Sequence, residues 1–452
     1  MSDRKFDLIV LGAGTAGCLA SYTAAKAGLE KIALIERKSK EKIGKKVCGD
    51  GIGTKHIQFL KEKGLPIQEQ ETIYNRSKTA HLISPDGEKD YALDIKGQLA
   101  IIDRHKLGQS LLKGAIDKGV QLFPNTKFKT LKRREDSIKV HCSKKGADSL
   151  TFIAPLLIDA TGINSLIRED SAIFGDFGKL QDNEQYYCYR EICKLGKFPE
   201  SYLDSAVFKF SNAITKGGYM WFFHRKNHEF NLGTGIPKSW SKELSPKMIY
   251  QNHMLSRVRR EKVIGFGGGF VPTRHPLPSH VKDNIILIGD AGLIVNPLHG
   301  GGLGSSIASG YISGKIAAKQ IPAEAVKEED LWPFNLQLLE RYGLRYSILD
   351  LYRILLQNMP DKELNKAFKE GYLPLGKIFY AREYDLLMKL SRKLGEIWKE
   401  LPSKRLNLLP TYLERINNLT KSYPVSPQEL NHWAQKYEQT YLDYESKISL
   451  TK

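Results

Sequence analysis

Two glycine-rich segments, far apart in the chain, carry residue types suited to holding a phosphorylated ring cofactor. The first is Gly12-Ala13-Gly14-Thr15-Ala16-Gly17. It follows the apolar run Phe6 to Leu11 and opens a helix-forming stretch that ends near Ala27. A second apolar run, Lys31 to Ile35, stops at Glu36. The order is strand, tight turn, helix, strand. Gly12 permits the turn, Gly14 lets a pyrophosphate approach the backbone, and Gly17 lets helix and strand pack closely. Thr15 and Ala16 start the helix, whose free N–H groups and positive dipole end favour phosphate. Glu36 stands where a carboxylate takes a ribose diol and disfavours a 2′-phosphate, which suits FAD or NAD better than NADP. The second segment is Gly289-Asp290-Ala291-Gly292, running on through Pro297 to Gly300-Gly301-Gly302-Leu303. Asp290 can accept from a ribityl hydroxyl. Backbone N–H groups of Gly301, Gly302 and Leu303 can face a flavin carbonyl and stabilise the negative charge that reduction brings. In this order the two segments suggest a flavin held at both ends, and so redox chemistry.

The elements that must position these groups are readable in outline. A chain of 452 residues buries a large core and holds two or three subdomains. After the basic loop that follows Glu36, Thr54 to Lys63 reads as a helix. Residues 78–102 read as short strands around the turn Ser84-Pro85-Asp86-Gly87, and a helix starts at Asp103-Arg104. Pro155 to Asp159 is a buried strand ending in Ala160-Thr161-Gly162. Residues 180–280 are β-rich, with aromatics at strand spacing. Asn284 to Ile288 is a further buried strand, and a helix follows from about Gly304. Beyond Pro322 the periodicity is helical, and Pro333, Pro360, Pro374, Pro402, Pro410 and Pro424 divide it. The expected fold is mixed α/β: a split Rossmann-type FAD-binding domain (1–77, 103–175 and 281–320), an inserted antiparallel β-sheet substrate domain (78–102 and 176–280) and a C-terminal helical domain (321–452). The late last strand and helix are hard to reconcile with a simple NAD dehydrogenase.

The formal net charge of +19 implies attraction to something acidic, such as an anionic lipid or a phosphorylated substrate. One dense cluster, Arg37-Lys38-Ser39-Lys40-Glu41-Lys42 with Lys45 and Lys46, follows Glu36 directly. No recognised nucleic-acid module accompanies the charge, so nucleic acid is not an expected partner. No run reaches the ~18 apolar residues of a membrane span. The five cysteines are scattered, form no metal-type cluster, and fit reduced thiols in a cytosol. The first strand begins within a few residues of Met1, so no signal peptide is expected.

With these residues in hand, the chain resembles the p-hydroxybenzoate hydroxylase-like flavoprotein superfamily over roughly residues 5–320. Gly12-x-Gly14-x-x-Gly17, Asp159-Ala160-Thr161-Gly162 with Ser165 and Arg168, and Gly289-Asp290 match its three landmarks. Within it, the chain resembles the geranylgeranyl reductase family, especially the archaeal digeranylgeranylglycerophospholipid reductases. Lys46-Val47-Cys48-Gly49-Asp50-Gly51 is similar to that family's cysteine–glycine segment beside the flavin. Tyr219-Met220-Trp221-Phe222-Phe223, then Gly233-Thr234-Gly235, is similar to its substrate motif Tyr-x-Trp-x-Phe-Pro and Gly-x-Gly. The departure is His224, which stands where the family usually has proline.

The resemblance implies FAD as cofactor, with contacts from the first glycine segment, Glu36, Arg37, Cys48, Gly49, Gly51, Arg104, Phe128 (through its backbone), Asp290, Gly301, Gly302 and Leu303. It puts Cys48 beside the ring as a candidate catalytic group, and Tyr219, Trp221, Phe223, Gly233 and Gly235 around the substrate. Tyr219, Trp221 and Phe223 alternate, so on a strand they share one face, a wall suited to an isoprenoid chain. His299 and His56 are further polar candidates near the two flavin segments. The implied reaction is saturation of isolated prenyl double bonds by hydride from flavin N5, on a prenyl lipid or prenyl diphosphate. The external electron donor is NAD(P)H or ferredoxin. The implied place is the cytoplasm, held peripherally at the inner, anionic face of the membrane. The competing expectation is a flavin-dependent monooxygenase or aromatic hydroxylase of the same superfamily, against which the Cys48 and Tyr219 segments argue.

Overall fold

The computed structural model of the chain describes residues 3–134, 136–146, 149–321, 325–379, 384–399 and 403–451. Pro322 and Pro402, two of the expected dividers of the tail, lie outside the described residues.

Continuous apolar runs form strands buried on both faces, the pattern of a parallel sheet covered by helices. Four of them, with Val281–Lys282 and Gln121–Phe123 at the edges, make one sheet in the order Val281–Lys282, Ile285–Leu287, Leu156–Asp159, Leu8–Leu11, Ile32–Ile35, Gln121–Phe123. All neighbours are parallel except the first pair. The order puts residues 8, 156 and 285 side by side, so three distant parts of the chain build one nucleotide-binding sheet. The helix Thr15–Lys26 packs on it together with the helix Leu303–Gln320. These two helices approach closely because Gly310 and Gly314 face the Ala16 and Ala20 carbonyls, where any Cβ would collide. A four-stranded sheet, in the order Arg4–Lys5, Leu150–Ala154, Ile138–Lys144 and Thr126–Arg133, completes this part.

The inserted β-rich part is an eight-stranded sheet. Its order is Arg259–Pro272, Gln185–Lys197, Glu229–Pro237, Tyr219–Lys226, Ser205–Phe210, Ile73–Ile83, Asp90–Ile102, Gly51–Gly53. Here the structure corrects one expectation: residues 78–102 are not short strands. Two long antiparallel strands, beginning already at Ile73, flank the turn 84–89. Cross-strand pairing on both sides of a bulge at residues 95–98 outweighs the polar residues that punctuate the sequence. Gly51–Gly53, next to Cys48, also belongs to this sheet, pairing with Leu99 to Ile101.

The tail is helical, with Leu344–Asn358, Lys404–Lys421 and Leu430–Leu450 as its main members. Pro333 and Pro360 stand at helix starts, where a missing N–H costs nothing. Pro410 does not divide the tail: it lies inside the helix Lys404–Lys421, against Gly395 of the neighbouring helix. Burial of Leu406, Leu409 and Leu413 on that helix outweighs the local cost of the proline. Among the described residues no helix is long and apolar enough to cross a membrane.

Candidate active site

Gly12 has φ +95° and donates its N–H to the Ile35 carbonyl at 2.7 Å, which turns the chain from strand into helix. A Cβ on Gly17 would collide with the Gly12 carbonyl, so Gly17 serves the packing of this turn. Gly14 caps the helix Thr15–Lys26 with no side-chain hydrogen bond, and nothing lies within 4 Å of a Cβ built on it. The first N–H groups of the helix therefore face open space. Beside them, the buried Glu36 accepts the Ala13 N–H at 2.9 Å and the Lys38 N–H at 2.8 Å.

The second segment reaches the same place from the other end of the chain. Residues Gly289–Gly292 form a short 3-10 turn. Asp290 accepts from the Lys46 ammonium at 2.5 Å, across the cavity. The helix Leu303–Gln320 starts at Gly302, again with no side-chain cap. The middle landmark braces both segments. Asp159 takes the Thr161 N–H at 2.8 Å, the Thr161 hydroxyl at 2.6 Å and the Ser165 hydroxyl at 2.5 Å. The buried Arg168 donates to the Ala291 carbonyl at 3.3 Å, next to Asp290.

All this surrounds one cavity of about 1110 Å³, above the roughly 300–1,000 Å³ of ordinary single-ligand pockets. The cavity continues from the glycine segments to the wall on the strand Tyr219–Lys226. Tyr219, Trp221 and Phe223 share a face, with ring centroids 6.1 Å and 6.4 Å apart along the row. Met220 and Phe222 point to a separate core on the other side of the sheet. The Tyr219 hydroxyl donates to the His299 carbonyl at 2.7 Å. At the other end of the row, Phe223 packs on the backbone of Gly49, where a Cβ would come within 3.1 Å of the ring. Gly233 is bare because the Trp221 indole lies on it, and Gly235 because the Cys188 thiol stands 2.8 Å from its Cβ position.

Cys48 accepts from the Arg104 guanidinium at 3.4 Å. Arg104 opens the helix Arg104–Asp117, which Asp103 caps. The neighbouring Asp50 is buried and held at φ +64°, a conformation that non-glycine residues rarely adopt. Burial pushes its carboxyl pKa up, against the pull of Arg190, Arg104 and Arg225. His299 is half-buried. Its burial and the Arg345 cation lower its pKa to about 4, so its imidazole is neutral near pH 7. Its Nδ1 accepts the Gly301 N–H at 3.1 Å.

Of the residues singled out in the sequence, Gly14, Thr15, Ala16, Glu36, Cys48, Gly49, Gly51, Arg104, Asp290, Gly301, Gly302, Leu303, Tyr219, Trp221, Phe223 and Gly235 all line this cavity. Gly12, Gly17 and Gly233 stand behind the lining, shaping turn and wall. Arg37 is exposed outside it. The Phe128 ring packs away from the cavity, in the cluster with Ile138 and Phe152. His56 lines the cavity against Gly304 rather than standing on an open helix face. His224 replaces proline without loosening the strand end. Its Nδ1 accepts the Asp204 N–H at 2.9 Å, and its Nε2 meets the Asn227 carbonyl at 2.7 Å.

Sequence reasoning missed Asn231. It is fully buried and takes the Trp221 indole N–H at 3.0 Å. Its amide donates to the Cys48 carbonyl and to Asp50, each at 2.8 Å. One side chain thus joins the aromatic wall to the cysteine loop. A lone amide on an otherwise apolar strand was the available signal. Arg190 and Cys188, on the adjacent strand, were also missed as lining residues.

Comparison with known proteins agrees with this geometry. A family model described as FAD dependent oxidoreductase matches residues 7–172, and one described as geranylgeranyl reductase catalytic domain matches residues 185–271. The chain is 28% identical to the digeranylgeranylglycerophospholipid reductase of Sulfolobus acidocaldarius, over 99% of this chain and 100% of the relative. It is 28% identical to the protein of that name from Methanococcus vannielii, over 80% of this chain and 90% of the relative. Among solved structures, a geranylgeranyl bacteriochlorophyll reductase-like protein from Thermoplasma acidophilum shares the fold. Its TM-score is 0.75 at 20% identity, over 90% of this chain and 100% of that one. A flavin-dependent brominase shares it more distantly, at TM-score 0.64 and 12% identity over 98% and 100%. With nucleotide-binding sheet, inserted aromatic wall and both family matches in register along it, the chain is an FAD-dependent oxidoreductase similar along its length to the geranylgeranyl reductases.

Proposed function

We propose that the enzyme saturates the isolated double bonds of geranylgeranyl chains, on archaeal-type membrane lipids or their precursors. The observation that carries this reading is the single cavity in which the cysteine loop and both glycine segments meet an unbroken row of three large rings. FAD fits the residues present: two uncapped helix starts, a bare Gly14 and two carboxylates, Glu36 and Asp290, face the same space. When bound, the cofactor supplies hydride from N5 of its reduced ring.

The chain's own residues then have separable tasks. Glu36 takes the adenosine ribose, and the N–H groups at Gly14 to Ala16 take the pyrophosphate, with Arg104 nearby. Asp290 takes the ribityl hydroxyls in place of Lys46. The N–H groups of Gly302 and Leu303 would face the ring, whereas that of Gly301 is already taken by His299 Nδ1. Gly49, Gly51 and the Cys48 loop line the part of the cavity that would take it, and the Cys48 thiol would be the acid beside the reacting alkene. An isolated alkene offers no carbonyl to polarise, so protein groups contribute mainly orientation and exclusion of water. Tyr219, Trp221 and Phe223 hold the chain. Tyr342, Tyr346 and Leu356 of the helical tail close the cavity's far side, which lets successive double bonds be presented. Electrons reach the flavin from NAD(P)H or ferredoxin docking transiently. The enzyme works at the cytoplasmic face of an anionic membrane, drawn there by its charge.

Anaerobic incubation of the reduced enzyme with a geranylgeranyl phospholipid, followed by mass analysis, tests the reading. The expected products gain hydrogen in pairs, one pair per double bond. Product that forms only with oxygen, or that carries an added oxygen atom, overturns it in favour of a monooxygenase.

A further inference from the structure

The strand Arg259–Pro272 stands at the end of the eight-strand order and pairs only with Gln185–Lys197. Such an edge displays a row of unpaired backbone groups, and proteins usually blunt it with charge and keep large apolar side chains off it. Here cations are present, but so are Phe266 at 71% exposure, Ile264 at 47% and Val263 at 41%. They are flanked by Arg259 and Lys262 on the same strand and by Lys197 and Lys194 on its neighbour, the last of these paired with Glu261 at 3.2 Å. Register shifts at Ile192/Cys193 and again beyond Lys194 mark bulges in this stretch, which locally bend a strand and increase its twist. The strand then runs inward: Gly268 to Val271 line the cavity, and Phe270 stacks on Tyr187 at 5.0 Å. One strand therefore leads from an exposed apolar tip, past stacked rings, to the aromatic wall.

We propose that this edge is where the enzyme docks on an anionic lipid bilayer, with Val263, Ile264 and Phe266 entering the boundary between head groups and acyl chains. The surrounding lysines and arginines reach the lipid phosphates while their stems lie along apolar surface. The inward half of the strand is then the route by which a prenyl chain passes from membrane to cavity. This rests on the prenyl-lipid reading above for its purpose, but not for its geometry. A second copy of the chain is the poorer occupant of the edge. Each copy carries +19, and basic residues flank the apolar tip, so edge-to-edge pairing meets long-range repulsion.

The test uses the full-length holoenzyme and vesicles of phosphatidylcholine with or without phosphatidylglycerol. Wild type is expected to co-float with the anionic vesicles and to be released by salt. Phe266→Asp is expected to lower that binding about tenfold. It should leave flavin content, thermal midpoint and turnover of a detergent-solubilised prenyl substrate unchanged, because Phe266 is outside the cavity. Phe266→Trp should show blue-shifted emission on adding anionic vesicles and quenching by brominated acyl chains. If Phe266→Asp floats like wild type, or the tryptophan emission does not move, the proposal falls. It falls also if the substitution turns a dimer into a monomer without changing vesicle binding. If vesicle binding follows Phe266 while wild type reduces no prenyl substrate, the docking surface stands and the reductase reading fails.

Discussion

Asn231 is the residue on which wall and loop both depend. Its partners Cys48 and Asp50 lie more than 180 positions away in the chain, which is why no local pattern announced it. Glu36 and Asp290 were legible for the opposite reason: each sits at a short, fixed distance from the glycines whose turn it serves. Asn231→Leu strands the Trp221 N–H and removes both donors to the cysteine loop. Leaving such groups unpaired costs about 1–3 kcal/mol each. The expected outcome is a lower thermal midpoint with FAD retained, and prenyl turnover reduced at least tenfold, because ring row and cysteine loop lose their common anchor. Flavin absorbance, thermal unfolding and steady-state rates on the same preparation check this. A variant that turns over normally would mean the wall holds its place without the amide.

At the scale of elements, the second and third glycines of the first turn do different jobs, although the motif spells them alike. Gly17 is needed by the protein itself, since its Cβ would strike the Gly12 carbonyl. Gly14 borders nothing but open space. Gly17→Ala is therefore expected to destabilise the fold by about 1–3 kcal/mol, as overpacking does. Gly14→Ala should unfold like wild type but bind FAD about tenfold more weakly. Urea unfolding of the apoprotein and flavin titration separate the two effects. Strands and helices with strong apolar patterns, such as Leu8–Leu11 and Leu156–Asp159, were readable in advance. The long strands Ile73–Ile83 and Asp90–Ile102 were not, because their alternation is broken by polar residues and only the neighbouring strands fix their length.

For the whole molecule, the helical tail is tied to the sheet by buried charge. Arg274 and His275 follow the edge strand. Asp350 and Arg353 lie on the helix Leu344–Asn358, and Glu438 on the last helix. His275 bridges Asp350 at 3.0 Å and Glu438 at 3.1 Å, with the Tyr441 ring stacked 3.7 Å away and Tyr437 edge-on. Arg274 pairs with Glu438 and Glu184, and Arg353 with Asp350. Burial alone would lower the His275 pKa, but Glu438 and Asp350 outweigh burial and the Arg274 cation and raise it above 6.5. Burial likewise opposes ionisation of Asp350, but Arg353 and His275 hold it well below 3.8. The histidine's contribution to stability is full below its unfolded value and fades as pH rises through the raised one. The aspartate's contribution is full above its unfolded value and fades as pH falls. The urea midpoint is therefore expected to drop as pH rises above about 6.5, and His275→Gln to flatten that drop. An unchanged slope in the variant would assign the pH dependence elsewhere. Helical periodicity announced this tail, but not its attachment, which depends on charges brought together from four separate stretches. The same long-range wiring bears on biosynthesis. Gly310 and Gly314 must reach the Ala16 and Ala20 carbonyls before the two cofactor-facing helices can seat. The strand Ile285–Leu287 must also be made before the sheet holding residues 8–11 is whole. At about 5–20 residues per second, the nascent amino-terminal half waits tens of seconds on the ribosome with its glycine turn unmatched. Flavin capture is thereby reserved for a chain that is more than two-thirds translated.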